Sequence, residues 1–325
     1  MAKIRNIELG GFPLLLAPME DVSDPPFRKL CKEFGADVVY TEFISSEGLI
    51  RNAQKSAQKL DIYESERPVG IQIFGHNLDS MLQTVEIVEA SKPDFIDINF
   101  GCPVKKVVNK GAGAAFLKDI PKMVQVAQAL VDRSNLPVTV KTRLGWDANS
   151  IVIEEAAERL QDVGVAALAI HGRTRAQLYK GKADWNPIAA VKNNPRMHIP
   201  IFGNGDITTP EKAKMMRDDY GLDGGMIGRA SIGNPWLFRE IKHFLLTGEK
   251  LPQPTIVERV AVAKRHLEMA TKWNGDIVGL LETRRHYSSY FKGIPNFKPF
   301  RMKMVTAPTK EDMSLIFEEV TNHFK

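Results

Sequence analysis

Eight short apolar segments alternate with amphipathic segments along the first 230 residues, and this alternation restricts the possible folds more than any other feature. The apolar segments lie at 14–19, 38–44, 69–74, 95–100, 138–143, 167–171, 200–203 and 225–228. Segments with apolar residues near a 3.6-residue period include 81–90, 123–133, 153–163 and 211–220. Strands buried on both faces read as continuous apolar runs. The pattern predicts an α/β fold with a (β/α)8 TIM barrel.

A doubly wound open sheet is the main alternative to the barrel. Such a sheet usually has fewer strands and, where it binds a dinucleotide, carries a glycine fingerprint after its first strand. Here the first apolar segment ends in Ala17-Pro18-Met19-Glu20. The glycine-rich segment 110–116 lacks the third glycine and does not directly follow a strand. The barrel is therefore the predicted fold.

The chain changes character after residue 246. Segment 247–254 is rich in turn formers and predicts a linker, and the residues beyond it show no strand pattern. Helical patterns cover 256–273, 278–291 and 310–324. We expect a catalytic barrel over residues 1–246, a linker over 247–254 and a small helical domain over 255–325.

Composition limits the setting in which this chain works. The chain has 325 residues, of which 43% are hydrophobic, enough for a large core. No run approaches the roughly 18 apolar residues of a membrane span, and the amino terminus does not resemble a signal peptide. Two cysteines indicate no disulfide framework and favour a reducing cytoplasm. The oligomeric state stays open, with a monomer favoured.

Positive charge is concentrated near the carboxyl terminus. Residues 284–303, which we call the basic–aromatic stretch, contain six basic residues and no acidic one. The basic residues are Arg284, Arg285, Lys292, Lys298, Arg301 and Lys303, and the interleaved aromatics are Tyr287, Tyr290, Phe291, Phe297 and Phe300. Basic groups attract phosphates and aromatic rings stack on unpaired bases, which predicts a nucleic-acid surface. The alternative is a solvated helix whose aromatics form a small core.

Polar side chains stand at nearly every predicted strand end, where barrels of this kind build their active sites. The predicted strand ends and the loops that follow them carry Ala17, Pro18, Met19, Gln72, Asn99, Cys102, Lys141, Arg143, His171, Arg173, Asn204, Gly205, Asp206, Gly228 and Arg229. The loops after the last two strands carry Asn204-Gly205-Asp206 and Gly228-Arg229, which predict a phosphate site. Tight turns that only need glycine are the alternative.

Three residues on predicted strands, Gln72, Lys141 and His171, are consistent with a flavin site. The Gln72 amide can pair with a flavin pyrimidine edge, and Lys141 can stabilise negative charge on the reduced ring. Taken singly, Lys141 could instead be an ion-paired strand residue and His171 a satisfied core histidine.

The two cysteines have different surroundings. Cys31 lies in a helical pattern and is expected to pack as an apolar residue. Cys102 follows a strand and is a candidate general acid, which requires a thiol that stays protonated. Neither the histidines nor the cysteines show metal-ligand spacing, so no metal is expected.

These residues resemble the tRNA-dihydrouridine synthases, the bacterial B-type branch in particular. The resemblance rests on Ala17-Pro18-Met19, Gln72, Asn99-Phe100-Gly101-Cys102-Pro103, Lys141-Thr142-Arg143, His171-Gly172-Arg173-Thr174-Arg175, Asn204-Gly205-Asp206 and Gly228-Arg229-Ala230. It covers residues from about 10 to 300. Phe100 departs from the family, which often has Met or another apolar residue there, and this difference concerns packing only.

The resemblance implies an FMN-bound barrel with NADPH (or NADH) as reductant and a tRNA uracil as substrate. Hydride would reach C6, and Cys102 would protonate C5 from the other face. The implied cofactor-binding residues are Ala17, Pro18, Met19, Gln72, Lys141, His171, Asn204, Gly205, Asp206, Gly228 and Arg229. The expected substrate-binding residues are Asn99, Arg143, Arg173, Arg175, Arg284, Arg285, Lys292, Lys298 and Arg301. A base must leave its stack to enter a barrel, which accounts for an RNA-binding domain.

Three other functions remain possible from the sequence. A dihydropyrimidine or dihydroorotate-type flavin dehydrogenase would not need the basic–aromatic stretch. A tRNA-binding folding helper would use the barrel only as a scaffold and would not need Cys102. A barrel enzyme acting on phosphosugars would use Lys141 as a Schiff-base amine and would be colourless.

Overall fold

A parallel eight-stranded barrel forms the centre of the computed structural model, which describes residues 1–324. The strands of residues 1–324 are β1 (Ala2–Ile4), β2 (Ile7–Gly10), β3 (Leu14–Leu16), β4 (Val39–Tyr40), β5 (Ile44–Ser45), β6 (Val69–Phe74), β7 (Phe95–Asn99), β8 (Val138–Arg143), β9 (Leu168–His171), β10 (Ile201–Asn204) and β11 (Gly224–Ile227). Of these, β1 and β2 form a separate antiparallel hairpin. The sheet order is β3-β11-β10-β9-β8-β7-β6-β4, with β5 also paired to β6. A parallel bridge between Leu15 and Val38 closes the ring, which confirms the TIM barrel.

Helices surround the barrel and continue beyond it. Those of the barrel are α1 (Pro25–Glu33), α2 (Ser46–Leu49), α3 (Gln54–Gln58), α4 (Leu78–Ala90), α5 (Lys105–Val108), α6 (Ile120–Arg133), α7 (Ile153–Asp162), α8 (Asn186–Asn193), α9 (Pro210–Asp218) and α10 (Leu237–Thr247). The helices that follow are α11 (Ile256–Asn274), α12 (Asp276–Tyr290), α13 (Lys298–Thr306) and α14 (Lys310–Phe324). Short 3₁₀ turns lie at Glu64–Glu66, Gly113–Lys118 and Arg229–Ser231.

The strand register brings the polar strand ends to one rim. Lys141 pairs with Asn99, and His171 pairs with both Arg143 and Asn204. In a parallel barrel all carboxyl ends face the same way, so residues far apart in sequence become neighbours at that rim.

Three details differ from the sequence prediction. The predicted strand 38–44 is two short segments, β4 and β5, and both pair with β6. The Thr41 hydroxyl accepts a hydrogen bond from the Gln72 N–H (3.1 Å), so a side chain replaces a strand contact where the chain bends. Helix α13, in a segment interrupted by Pro295 and Pro299, and the β1–β2 hairpin were not predicted.

A second apolar core lies among α11 to α14. Its buried members include Leu267, Tyr287 and Phe317, and also Leu30 of α1 and Trp236 beside α10. Helix α11 begins with a capping box at Thr255 and Glu258, directly after the irregular segment that follows α10. Because barrel residues contribute to this core, the division into a barrel (1–246), a linker (247–254) and a helical domain (255–325) remains a proposal.

None of the helices within residues 1–324 has the combination of length and apolar composition that a bilayer crossing requires.

Candidate active site

A cavity of about 590 Å³ opens at the carboxyl-terminal rim of the barrel. It brings together most of the polar strand ends that the sequence predicted. The predicted residues that line it are Ala17, Pro18, Met19, Gln72, Asn99, Cys102, Lys141, Arg143, His171, Asn204, Gly205, Asp206, Gly228 and Arg229. The volume is in the range of small-molecule and cofactor sites.

Asn99 holds the turn that carries Cys102. Its Oδ1 accepts hydrogen bonds from the backbone N–H groups of Gly101 (3.0 Å) and Cys102 (2.8 Å). Its Nδ2 donates to Oε1 of Gln72 at 2.8 Å. Both ends of the Asn99 amide are therefore engaged in positioning the cysteine.

Gln72 links Asn99 to Asp97, a residue that the sequence analysis did not identify as part of the site. Gln72 is fully buried, and its Nε2 donates to Oδ2 of Asp97 at 2.5 Å. The Thr139 hydroxyl donates to the other carboxylate oxygen at 2.5 Å. Burial raises the pKa of Asp97 to about 6, with these two hydrogen bonds and Lys141 acting in the opposite direction. The only signal in the sequence was an acidic residue inside an apolar strand.

Cys102 is 7% exposed on the cavity wall. Burial raises the pKa of its thiol, against the opposing effect of the Val104 N–H and the Arg143 guanidinium. The group therefore remains protonated at neutral pH, as a proton donor must. Cys31, in contrast, is fully buried in the barrel core, which confirms its packing role.

Arg143 braces two loops at the rim. Its Nε donates to the carbonyl of Gly101 (2.7 Å), next to Cys102. Its Nη1 donates to the carbonyls of Thr174 (3.1 Å) and Leu178 (2.9 Å). The cysteine turn and the loop after β9 are thus held by one buried cation.

Lys141 on β8 reaches past β9 to the last residue of β10. Its Nζ donates to Oδ1 of Asn204 at 3.1 Å, and Nδ2 of Asn204 donates to the carbonyl of Met226 at 2.7 Å. Burial, assisted by the Arg143 charge, lowers the pKa of Lys141 to about 8.

His171 is buried between cations. Burial lowers the pKa of its imidazole, and the nearby charges of Arg143, Lys141 and Arg173 add to the effect. The ring is therefore neutral. Of the two interpretations that the sequence left open, His171 lies in the cavity wall rather than in the apolar core.

Two arginines predicted to contact the substrate have partners within the protein. Arg173 is 2% exposed, does not line the cavity, and forms a two-pronged ion pair with Asp206 (3.0 and 2.7 Å). Arg175 stacks on Trp146, with its guanidinium carbon 4.5 Å from the ring centroid. Arg173 therefore works inside the protein, which differs from the predicted contact with substrate.

Tyr179 lines the cavity and was missed by sequence reasoning. It is 52% exposed, and the guanidinium carbons of Arg229 and Arg143 lie 4.8 and 5.6 Å from its ring centroid. The available signal was a loop, residues 172–184, that combines one tyrosine with several basic residues.

The aromatics of the basic–aromatic stretch are buried. Tyr287, Tyr290 and Phe291 are 0% exposed, and Phe297 and Phe300 belong to the same core. They form the small core that was the alternative, and the expected stacking on bases is not available to them.

The basic residues of the same stretch divide into two groups. Arg284 donates to the carbonyl of Ala307 (2.5 Å), Arg285 donates to the carbonyl of Asp21 (2.5 Å), and Lys303 pairs with Glu319 (2.6 Å). Lys292 and Lys298 are exposed, and within residues 1–324 no hydrogen bond or ion pair engages their ammonium groups. Arg301 is half-buried.

Three carboxylates lie close together beside the cavity. The oxygens of Glu20, Asp21 and Glu42 come within 4.8 Å of one another. Lys59 pairs with Glu20 (2.7 Å) and approaches Glu42 (3.6 Å), while Arg285 approaches Asp21 (3.4 Å). Internal cations thus balance much of this charge, and the expectation of no metal stays a prediction.

Comparison with protein families gives a match over almost the whole chain. Residues 15–324 match the model described as dihydrouridine synthase (Dus). The tRNA-dihydrouridine synthase B of Pseudomonas putida is 42% identical over 294 residues, which cover 89% of this chain and 86% of that protein. A probable tRNA-dihydrouridine synthase of Rickettsia conorii is 39% identical, covering 93% and 90%.

Solved structures share the barrel at much lower identity. A morphinone reductase mutant in complex with tetrahydroNAD has a TM-score of 0.52 and 11% identity, over 74% of this chain and 89% of that one. Histamine dehydrogenase from Rhizobium sp. 4-9 has a TM-score of 0.54 and 11% identity, over 81% of this chain and 50% of that one. These likenesses concern the fold.

Proposed function

Because this chain belongs to the dihydrouridine synthase family, we propose that it is a flavin-dependent oxidoreductase that reduces a uridine of tRNA to 5,6-dihydrouridine. The family match bears out the resemblance stated from the motifs. The observation that carries the proposal is one cavity in which a buried, protonated Cys102 faces a group of cations at the barrel mouth.

The cavity has the size and chemistry to hold FMN. Its volume of about 590 Å³ suits a flavin, and the cations Lys141, Arg143 and Arg229 line it. Gly205 lets its loop pack closely on His171 of the cavity wall, since a Cβ there would lie only 2.9 Å from Cδ2 of His171 and 2.8 Å from Cβ of Ala183. Its φ of +114° also favours glycine.

We assign the FMN phosphate to the loops that carry Gly205 and Arg229, and the flavin ring to the part of the cavity that Lys141 lines. The Arg229 side chain is 55% exposed, and its Nη2 lies 3.7 Å from Oδ1 of Asp206, which is too far for a hydrogen bond. Its N–H groups therefore remain available to an anion. Lys141, charged at neutral pH, would stabilise negative charge on the reduced ring. Ala17, Pro18 and Met19 would form an apolar wall.

Cys102 serves as the proton donor in this proposal. FMN held by Lys141 and by the loops of Gly205 and Arg229 would, once reduced by NADPH, supply the hydride for C6 of the uracil. The Cys102 thiol gives its proton to C5, and the resulting thiolate regains a proton from solvent. The Asn99 and Arg143 contacts hold the cysteine turn so that the thiol faces the cavity.

The tRNA would be held by exposed cations of the helical domain and of the barrel loops. In the helical domain these are Lys292 and Lys298, and on the barrel loops they include Lys105, Lys106, Lys180 and Lys182, all exposed. Phosphate attraction of this kind is independent of sequence and sensitive to salt. We place this activity in the cytoplasm.

A visible absorption spectrum of the purified protein, followed by mass mapping of dihydrouridine in tRNA from a deletion strain, tests the proposal. We expect a flavin spectrum, FMN on release, and loss of dihydrouridine at specific tRNA positions that the wild-type gene restores. A colourless protein would favour the Lys141 amine chemistry instead. Full restoration by a Cys102→Ala gene would favour a non-catalytic tRNA-binding role.

A further inference from the structure

The guanidinium of Arg173 contacts the end of β9, the loop after β9 and the loop after β10. Its Nε donates to the carbonyl of Lys180 (3.1 Å), and its Nη2 donates to the carbonyl of Gly181 (2.6 Å). Nη2 also donates to both carboxylate oxygens of Asp206, on the loop after β10. Its Nη1 lies 3.2 Å from Nε2 of His171, at the end of β9.

The contact with His171 determines which ring nitrogen carries the proton. A guanidinium has only donors, so a hydrogen bond between Nη1 and Nε2 requires Nε2 to be the acceptor. The ring is neutral, because it is buried among cations. The single ring proton must therefore reside on Nδ1.

Packing keeps the ring in this orientation. The Nε2–Cδ2 edge of His171 lies against Gly205, where a Cβ would come within 2.9 Å of Cδ2 and 3.2 Å of Nε2. Nδ1 lies on the other edge of the ring, and His171 is part of the cavity wall. Within residues 1–324, no hydrogen bond engages Nδ1.

The ion pair with Asp206 holds the arginine in place. Asp206 adopts a left-handed backbone conformation (φ +57°) and also accepts from the Ala183 N–H at 2.8 Å. Although partial burial opposes it, the Arg173 and Ala183 hydrogen bonds lower the pKa of Asp206, so the carboxylate stays charged. The two loops that flank His171 are thereby tied to one cation.

We propose that Arg173 is a positioning residue that holds His171 as its Nδ1–H tautomer, so that the imidazole presents a hydrogen-bond donor to the cavity. Arg173 acts through His171 and Asp206 and does not contact the substrate. This Nδ1–H group would donate a hydrogen bond to a ligand that offers a carbonyl oxygen or a ring nitrogen, such as a flavin or a pyrimidine.

Long-range proton–nitrogen NMR of the full-length, flavin-loaded protein tests the tautomer directly. The His171 signals are assigned by their absence in the His171→Asn variant. We expect a protonated Nδ1 and an unprotonated Nε2 throughout the range of about pH 6–8. A proton on Nε2 in the wild-type protein would overturn the proposal, and this measurement needs no Arg173 variant.

Variants then test whether Arg173 is the cause. In Arg173→Met we expect the Nδ1–H tautomer to be lost and the Kd for FMN to rise roughly tenfold, the effect of one hydrogen bond. The double variant Arg173→Met/Asp206→Asn removes the lone carboxylate and protects against misfolding, and should lose the tautomer as well. Arg175→Gln, two residues away on Trp146, should keep it. Persistence of Nδ1–H in both Arg173 variants would overturn the role assigned to Arg173.

This inference rests on the proposed function only for the identity of the acceptor that meets Nδ1–H. The tautomer is measured without tRNA or turnover. A wild-type protein with the expected tautomer but no dihydrouridine activity would refute the proposed function alone, and the reverse result would refute the inference alone.

Discussion

The cavity rim and the basic–aromatic stretch look similar as sequence, since both place cations among apolar residues, but the fold uses them differently. At the rim, Lys141, Arg143 and Arg229 reach one cavity. In the stretch, Arg284 and Lys303 bind other groups of the protein while Lys292 and Lys298 stay exposed. Parallel strands all end at one edge, whereas successive helical residues point about 100° apart. A shared strand end is therefore stronger evidence of a site than a shared stretch of charge.

The largest effect is expected for substitution of Cys102, which tests whether this residue takes part in catalysis or is only buried at the rim. Cys102→Ala should leave reduction of FMN by NADPH nearly normal and slow tRNA reduction by about 10²–10⁴-fold, the usual contribution of a general acid. Single-turnover assays of flavin oxidation by tRNA measure this. Cys31→Ala is the matched control, because that thiol is buried in the core, and it should retain the rate of tRNA reduction. Wild-type tRNA reduction by Cys102→Ala would remove the assigned role.

The second prediction tests whether the rim cations bind the cofactor. Arg229→Ala removes a charged phosphate contact worth about 1.5–3 kcal/mol, so the Kd for FMN should rise roughly tenfold to a hundredfold. Fluorescence titration of flavin-stripped protein measures it. Arg196 is a control of similar exposure (62% against 55%) in the loop before β10, at the opposite end of the barrel. Equal FMN affinity in Arg229→Ala and the wild type would show that the phosphate lies elsewhere.

The third prediction concerns the charge of Lys141. Its pKa is lowered to about 8, so the group is charged below pH 8 and neutral above. At pH 7 the Lys141→Met variant should have a flavin midpoint potential lower by about 30–60 mV, because methionine cannot supply a charge-assisted hydrogen bond to the reduced ring. The difference from the wild type should shrink towards pH 9. Spectroelectrochemical titration at both pH values measures it, and a constant difference would contradict the lysine titration.

The smallest effect is expected in the helical domain. Lys292→Gln/Lys298→Gln should weaken tRNA binding and reduce the slope of log affinity against log salt by about 0.7–0.9 for each phosphate that is no longer neutralised. FMN content and flavin reduction should not change. Arg284→Gln provides the contrast: it should lower the melting temperature, because the Ala307 carbonyl is left without its donor, and leave the slope unchanged. Identical slopes for the lysine variant and the wild type would indicate that the barrel loops, and not these two lysines, bind the tRNA.

Much of the site was predictable, and the exceptions have physical causes. Strand ends such as Asn99, Lys141 and His171 could be identified because a two-faced buried strand leaves few other positions for polar groups. Tyr179 and the inward role of Arg173 could not, because a loop of more than ten residues has no periodicity that fixes its side chains. Asp97 was missed because a polar group inside an apolar strand is informative only when its partners, Gln72 and Thr139, are known.

The barrel, its eight strand positions and the rim that carries the polar strand ends were predictable from the sequence, because burial on both faces and the spacing of helices are local patterns. Which polar groups face the cavity and which face one another depends on how the strands and loops are arranged in three dimensions. Arg173 binds Asp206, and the five aromatics of residues 284–303 pack inwards. Those outcomes depend on distances between residues tens of positions apart, and a hydrogen bond or ion pair is decided by such distances rather than by residue type.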